Sequence, residues 1–132
     1  MTRVHAASPE ATVLTGRRIL VVEDEMVISM FIEDVLVGLG CQIVGPAGRM
    51  QRALALVEGN GIDAAVLDIN LGRDGDSYPI ADALISRGVP FVFSTGYGHQ
   101  GVLPAYRDIP CLTKPFAEKA LAQALAALFA AS

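Results

Sequence analysis

Two kinds of segment alternate along this chain. Short apolar runs break off at polar or charged residues: Ile19-Leu20-Val21-Val22 at Glu23-Asp24-Glu25, Ala64-Ala65-Val66-Leu67 at Asp68, Val89-Pro90-Phe91-Val92-Phe93 at Ser94-Thr95-Gly96, and Ile109-Pro110-Cys111-Leu112-Thr113 at Lys114-Pro115. Too short for helices and bounded by turn residues, they are predicted to be buried parallel strands, with Gln42-Ile43-Val44-Gly45 as a further short one. Helical spacing fills the intervals. It runs over 26–39 through Ile28, Phe31, Ile32, Val35 and Leu39, over 49–58 through Met50, Leu54 and Val57, over 78–87 through Ile80, Ala83 and Leu84, and over 117–131 through Leu121, Leu125 and Leu128. Gly40 and Gly88 are placed to stop two of these helices. Between 97 and 108 the residues Gly98, Gly101 and Pro104 predict a short or frayed helix.

Five strands alternating with helices imply a parallel sheet with right-handed crossovers and helices on both faces, a doubly wound α/β three-layer sandwich. Residues 1–15 show no periodicity and lack the apolar core of a signal peptide. They are expected to form a disordered or loose tail, leaving one domain over 16–132.

Composition narrows the function classes. A hydrophobic fraction of 52% with 18% charged residues fits a chain of 132 residues that covers both faces of its sheet, and no apolar stretch reaches spanning length. A net charge of -4 and the lack of a Lys/Arg cluster argue against nucleic acid as a direct partner. Cys41 and Cys111 have no metal spacing and are expected to be reduced core thiols of a cytoplasmic protein with no membrane contact. His5 and His99 have no neighbouring ligand residues and receive no metal role.

The chemistry lies at the strand ends, where open α/β sheets place their ligands. With the first and third strands adjacent, Glu23, Asp24 and Asp68 come together, and two such charges repel by about 3 kcal/mol at 5 Å with an effective dielectric near 20. A hard divalent cation relieves this, and Mg²⁺ suits it because that ion needs few carboxylates and shares phosphate oxygens. Lys114 and Thr95 then add a fixed positive charge and a hydroxyl, completing a pocket for a tetrahedral anion on a carboxylate nucleophile, Asp68.

This constellation resembles the receiver domains of two-component response regulators, over about residues 17–130. Glu23-Asp24 matches the acidic pair after the first strand, Asp68 the phosphorylated aspartate, Thr95 the switch hydroxyl and Lys114-Pro115 the ending of the fifth strand. Pro90-Phe91-Val92-Phe93-Ser94-Thr95-Gly96-Tyr97 resembles the signature of the "FAT GUY" group of receivers, many of them single-domain, with Ser94 where that signature has Ala. The resemblance implies a flavodoxin-like fold of strand order 2-1-3-4-5, in which Cys41 and Cys111 sit on opposite edges. It implies Mg²⁺ held by Asp24 and Asp68 directly, by Glu23 through water and by the backbone carbonyl of Asn70.

On this reading the chain is a phosphoacceptor switch rather than an enzyme. Asp68 takes a phosphoryl group from a histidine kinase or histidine phosphotransferase in a phosphorelay. Three rival readings stand beside it. A haloacid-dehalogenase-type phosphatase needs a second Asp where Asn70 stands, and a flavodoxin-like cofactor binder needs a phosphate loop where Glu23-Asp24-Glu25 stands. The serious alternative is a phosphorylation-independent interaction module of receiver shape. Met26, Ser29 and Met30 on the first long helix are expected to dock the phosphodonor, since Met-rich faces adapt to partners. Many receivers carry a rotating aromatic three residues before the Lys-Pro, a position that is Cys111 here. Tyr97 is expected to serve as the switch aromatic with Thr95, altering the face of the fourth predicted helix, fifth strand and last helix that meets a downstream protein or a second copy.

Overall fold

The computed structural model describes residues 8–59, 61–96 and 102–130. In chain order these form α1 (Pro9–Leu14), β1 (Arg18–Val22), α2 (Met26–Gly38), β2 (Gln42–Ala47), α3 (Met50–Gly59), β3 (Ala64–Asp68), α4 (Tyr78–Ser86), β4 (Phe91–Thr95), β5 (Cys111–Thr113) and α5 (Glu118–Ala130). Short 3₁₀ turns occupy Gly72–Asp74 and Pro104–Tyr106. All strand pairs are parallel in the order β2-β1-β3-β4-β5. The chain thus has the five-stranded doubly wound sandwich expected of it.

Side-chain alternation divides the core in two. Ile19, Val21, Val66 and Val92 point to the face covered by α2 and α5, where Ile32, Leu36, Leu121 and Leu125 meet them. Leu20, Val22, Leu67 and Phe93 point to the other face, against Ala53, Val57, Ile80 and Leu84 of α3 and α4. Every residue of β3 is buried, and its sequence reads as one apolar run up to Asp68.

Helix ends follow the glycine signals. In α2 the Gly40 N–H donates to Val37 O at 3.0 Å and Cys41 N–H to Leu36 O at 3.0 Å, with Gly40 at φ +84°. Gly88 and Val89 repeat this paired closure on Ile85 O and Leu84 O at the end of α4. Both are Schellman motifs, which satisfy carbonyls that the helix itself leaves open. The strands shift slightly from expectation. β4 runs on to Thr95 because Ser94 O accepts Ile69 N–H and Thr95 O accepts Lys114 N–H. Cys111 opens β5 on one edge and Cys41 precedes β2 on the other, and both are free thiols.

The loose tail expected through residue 15 is corrected for its second half. Ser8 Oγ accepts the Ala11 N–H at 3.0 Å, Pro9 sits in the first turn, and Ala11 and Leu14 are fully buried as α1 packs on α5. The Arg17 guanidinium lies 4.1 Å from the centroid of the Phe129 ring and ties the same junction. A six-residue helix is too short to display a period, although its Ser-Pro start is a recognisable N-terminal signal. Residues 1–7 lie outside the described residues.

Candidate functional site

The carboxyl ends of β1, β3, β4 and β5 build the site. Val22 pairs with Leu67, so the next step of that register sets Glu23 beside Asp68, and Asp68 pairs in turn with Ser94. Alternation puts Glu23, Asp68 and Ser94 in one transverse row on the α2/α5 face. Lys114, just past β5, reaches over this row. Its Nζ donates to Asp68 Oδ2 at 3.1 Å, lies 3.0 Å from Glu23 Oε1 and 4.0 Å from Glu25 Oε1. Ligand oxygens of Glu23, Asp24 and Asp68 all fall within 4.8 Å of one another.

Glu23 and Asp68 are buried, whereas Asp24 is exposed. Burial, followed by the hydrogen bond and charge of Asp68, pushes the Glu23 carboxyl up to about 7 against the opposing pull of Lys114 and of the Glu25 N–H. Burial works against the Lys114 charge, yet its pairing with Glu23 and Asp68 prevails and raises its pKa. The Lys114–Glu23 approach is an ion pair without hydrogen-bond alignment. Glu23 Oε1 is therefore buried with no hydrogen-bond partner among the described residues.

That oxygen, faced by the Lys114 charge without an aligned donor and standing in a trio of acids, fits a hard cation with oxygen ligands. The backbone agrees. The Asn70–Asp76 bridge uses the N–H of Leu71 and the carbonyl of Ile69, so it does not consume the Asn70 carbonyl. The Asn70 side chain has another task, its Oδ1 accepting the Gly72 N–H at 2.8 Å, while the Asn70 backbone N–H donates to Asp68 Oδ1 at 3.2 Å. Gly72 has φ +60°, and a Cβ there would stand 3.0 Å from Asp24 Oδ2.

A cleft of about 300 Å³ lies over the acids, lined by Asp24, Glu25, Asp68, Asn70, Gly72, Gly96 and Lys114. Thr95 is buried at the end of β4, next in sequence to Ser94, and is not part of that lining. Tyr97, the expected switch aromatic, lies outside the described residues. A larger groove of about 620 Å³ adjoins the cleft, lined by Glu25, Val27, Ile28, Phe31, Lys114, Pro115 and Phe116. Met26 and Met30 are 76% and 61% exposed. Ser29, expected to dock a partner, is corrected: it is 6% exposed, and its hydroxyl donates to Glu33 Oε2 at 3.2 Å. Phe31, placed by spacing in the buried stripe, stands 38% exposed with its ring 6.0 Å from that of Phe116.

Two further contacts escaped the sequence reading because nothing local signals them. Asp74 takes two hydrogen bonds from Arg49 at 3.0 Å and the Met50 N–H at 2.7 Å, joining the loop after Asp68 to the start of α3. These contacts hold its carboxyl down to about 2. Tyr78 packs against Phe93 and Tyr106, and its hydroxyl accepts the Leu103 N–H at 3.1 Å.

Among the described residues no helix is long and apolar enough to cross a membrane. No family model matches the chain. SdrG from Sphingomonas melonis Fr1 is similar in structure, with a TM-score of 0.77 and 48% identity over 88% of this chain and 97% of SdrG. Its BeF3-activated conformation aligns with a TM-score of 0.72 at 47% identity, over 85% of this chain and 95% of that one. The REC domain of the Erythrobacter litoralis response regulator PhyR has a TM-score of 0.77 and 28% identity over 89% of this chain and 95% of that domain. Among curated relatives, the transcriptional regulatory protein PdtaR of Mycobacterium tuberculosis is 30% identical over 110 residues, 81% of this chain and 54% of PdtaR. The chain thus spans about half the length of the curated relatives it matches.

Proposed function

The chain belongs to the receiver family of response regulators, and from that premise we propose that Asp68 accepts a phosphoryl group from a phosphohistidine on a histidine kinase or phosphotransferase. The observation that carries this reading is the buried Asp68 carboxylate, 3.1 Å from the Lys114 ammonium and within 4.8 Å of two further acids, under an open cleft. One Asp68 oxygen attacks phosphorus, the P–N bond to the donor imidazole breaks, and the electron pair leaves with that nitrogen. Lys114 follows the charge from the carboxylate to the phosphoryl oxygens, and Thr95 moves in to donate its hydroxyl to one of them. Glu23, Asp24, Asp68 and the Asn70 carbonyl would hold Mg²⁺, which would supply charge neutralisation for the phosphoryl oxygens.

The product is a switch rather than a turnover intermediate, and hydrolysis of the acyl phosphate resets it. The groove of Val27, Ile28, Phe31 and Phe116, flanked by exposed Met26 and Met30, receives the phosphodonor beside the cleft. The downstream target is a protein, or a second copy, in the cytoplasm. Incubation with acetyl phosphate and Mg²⁺ followed by intact mass tests the central step. The parent gains one phosphoryl group and Asp68→Asn gains none. A parent that gains no mass leaves the phosphorylation-independent interaction module as the better reading.

A further inference from the structure

The row of side chains across the sheet contains one member that the reading above does not use. Ser94 is fully buried, and its hydroxyl has no hydrogen-bond partner among the described residues. Buried hydroxyls are normally paired, because desolvation without a partner destabilises the fold. An alanine at this place would avoid that cost. Ser94 pairs directly with Asp68 in the parallel register, its carbonyl accepts the Ile69 N–H at 3.0 Å, and its side chain shares the Asp68 face of the sheet. Facing residues of adjacent strands lie about 5 Å apart, so a hydroxyl rotation and a small side-chain shift bring Ser94 Oγ to a carboxyl oxygen.

We infer that Ser94 is a positioning residue for phosphoryl release, its hydroxyl donating to the Asp68 oxygen that Lys114 gives up when the phosphoryl group arrives. This rests on the phosphoacceptor reading of Asp68. In the present arrangement Asp68 Oδ2 accepts from Lys114 and Oδ1 from the Asn70 N–H. Once one oxygen is phosphorylated and the ammonium has followed the charge to the phosphoryl oxygens, the Asp68 carboxyl keeps the Asn70 N–H, and the cation where bound, but has lost the Lys114 donor. In hydrolysis a water oxygen bonds to phosphorus, the P–O bond to Asp68 breaks, and the electron pair returns to the Asp68 carboxylate. The water proton passes to the released phosphate or to solvent. A hydroxyl donating to the departing carboxylate stabilises it as charge develops, so Ser94 shortens the life of the acyl phosphate.

The test is the decay of phosphorylated chain, labelled with acetyl phosphate and Mg²⁺ and then freed of donor, in the parent, Ser94→Ala and Ser94→Cys. The cysteine variant keeps the volume and exchanges the hydroxyl for a weak donor. Both variants are expected to label, to melt no lower than the parent, and to lose phosphate about threefold to tenfold more slowly, the effect of one ordinary hydrogen bond gained in the transition state. Labelling with decay at the parental rate in both variants overturns the role of Ser94 alone. Absence of label on the parent overturns the phosphoacceptor reading and this inference with it.

Discussion

Tyr78 and Tyr106 stack with ring centroids 4.5 Å apart and planes 14° from parallel, joining the helix that follows the Asp68 loop to the segment that follows β4. Phe93 meets both rings edge-on, two residues before Thr95. The Tyr78 hydroxyl accepts the Leu103 N–H, and Tyr106 donates to Asp82 Oδ1 at 2.7 Å. Tyr78→Phe keeps the stack and removes the acceptor. It is expected to speed amide exchange at Leu103 by about fivefold, equivalent to a net hydrogen bond of about 1 kcal/mol, with global stability nearly unchanged. Unaltered Leu103 exchange would show that the hydroxyl does not restrain this segment.

Mg²⁺ stabilises the folded chain if the acidic trio binds it. At a free concentration one hundred times the dissociation constant the gain is about 2.7 kcal/mol, and chelation with EDTA removes it. Asp24→Ala deletes the exposed acid of the trio and should abolish the Mg²⁺-dependent rise in melting temperature. A variant that responds to Mg²⁺ like the parent places the ion elsewhere.

Gly72→Ala joins two penalties at one position. Its φ of +60° costs an L-residue about 1–2 kcal/mol, and the new methyl lies 3.0 Å from Asp24 Oδ2. The variant should unfold at lower urea and, on the proposed role of Asp24, also bind Mg²⁺ more weakly, because relief of the contact moves its carboxylate. Mg²⁺ titration at a temperature where both proteins are folded separates the two effects.

Acid dependence should report on Asp74. Arg49 and the Met50 N–H hold its carboxyl at about 2, below the ordinary 3.8, so the folded state binds its proton less readily than the unfolded chain. Its contribution is complete above about pH 4 and disappears as the pH falls towards 2. The Arg49 side chain is 65% exposed, and added salt should weaken the effect. Urea unfolding at pH 5 and pH 2.5 should give a smaller difference for Asp74→Asn than for the parent. Equal differences would mean that the bridge does not persist in solution.

Much of this arrangement was legible in the sequence, for a physical reason. A strand buried on both faces has to be an unbroken apolar run, so the polar residue that breaks it marks the end of the sheet, as Asp68 does at the end of β3 and Glu23 after β1. The edge strand β5 is only partly buried and already ends in the exposed Thr113, so Lys114 is marked less sharply. The glycines that close α2 and α4 were legible because only one residue type tolerates their backbone comfortably. What stayed hidden depends on direction rather than order. Phe31 satisfies the helical period of α2 but points towards Phe116, whereas Ser29 looks like a surface residue and is buried. Asp74 and Tyr78 act through partners more than twenty residues away in sequence, and no local pattern encodes them.

The transverse row Glu23–Asp68–Ser94 makes competence a property of the whole sheet. A slip of one residue in β1 would turn Glu23 to the opposite face, and a slip in β4 would exchange Ser94 for Thr95. Each error leaves the apolar runs able to collapse but scatters the charges around Asp68. A compact but misregistered chain would therefore lack the site, whose geometry around Asp68 depends on alignment across three strands at once.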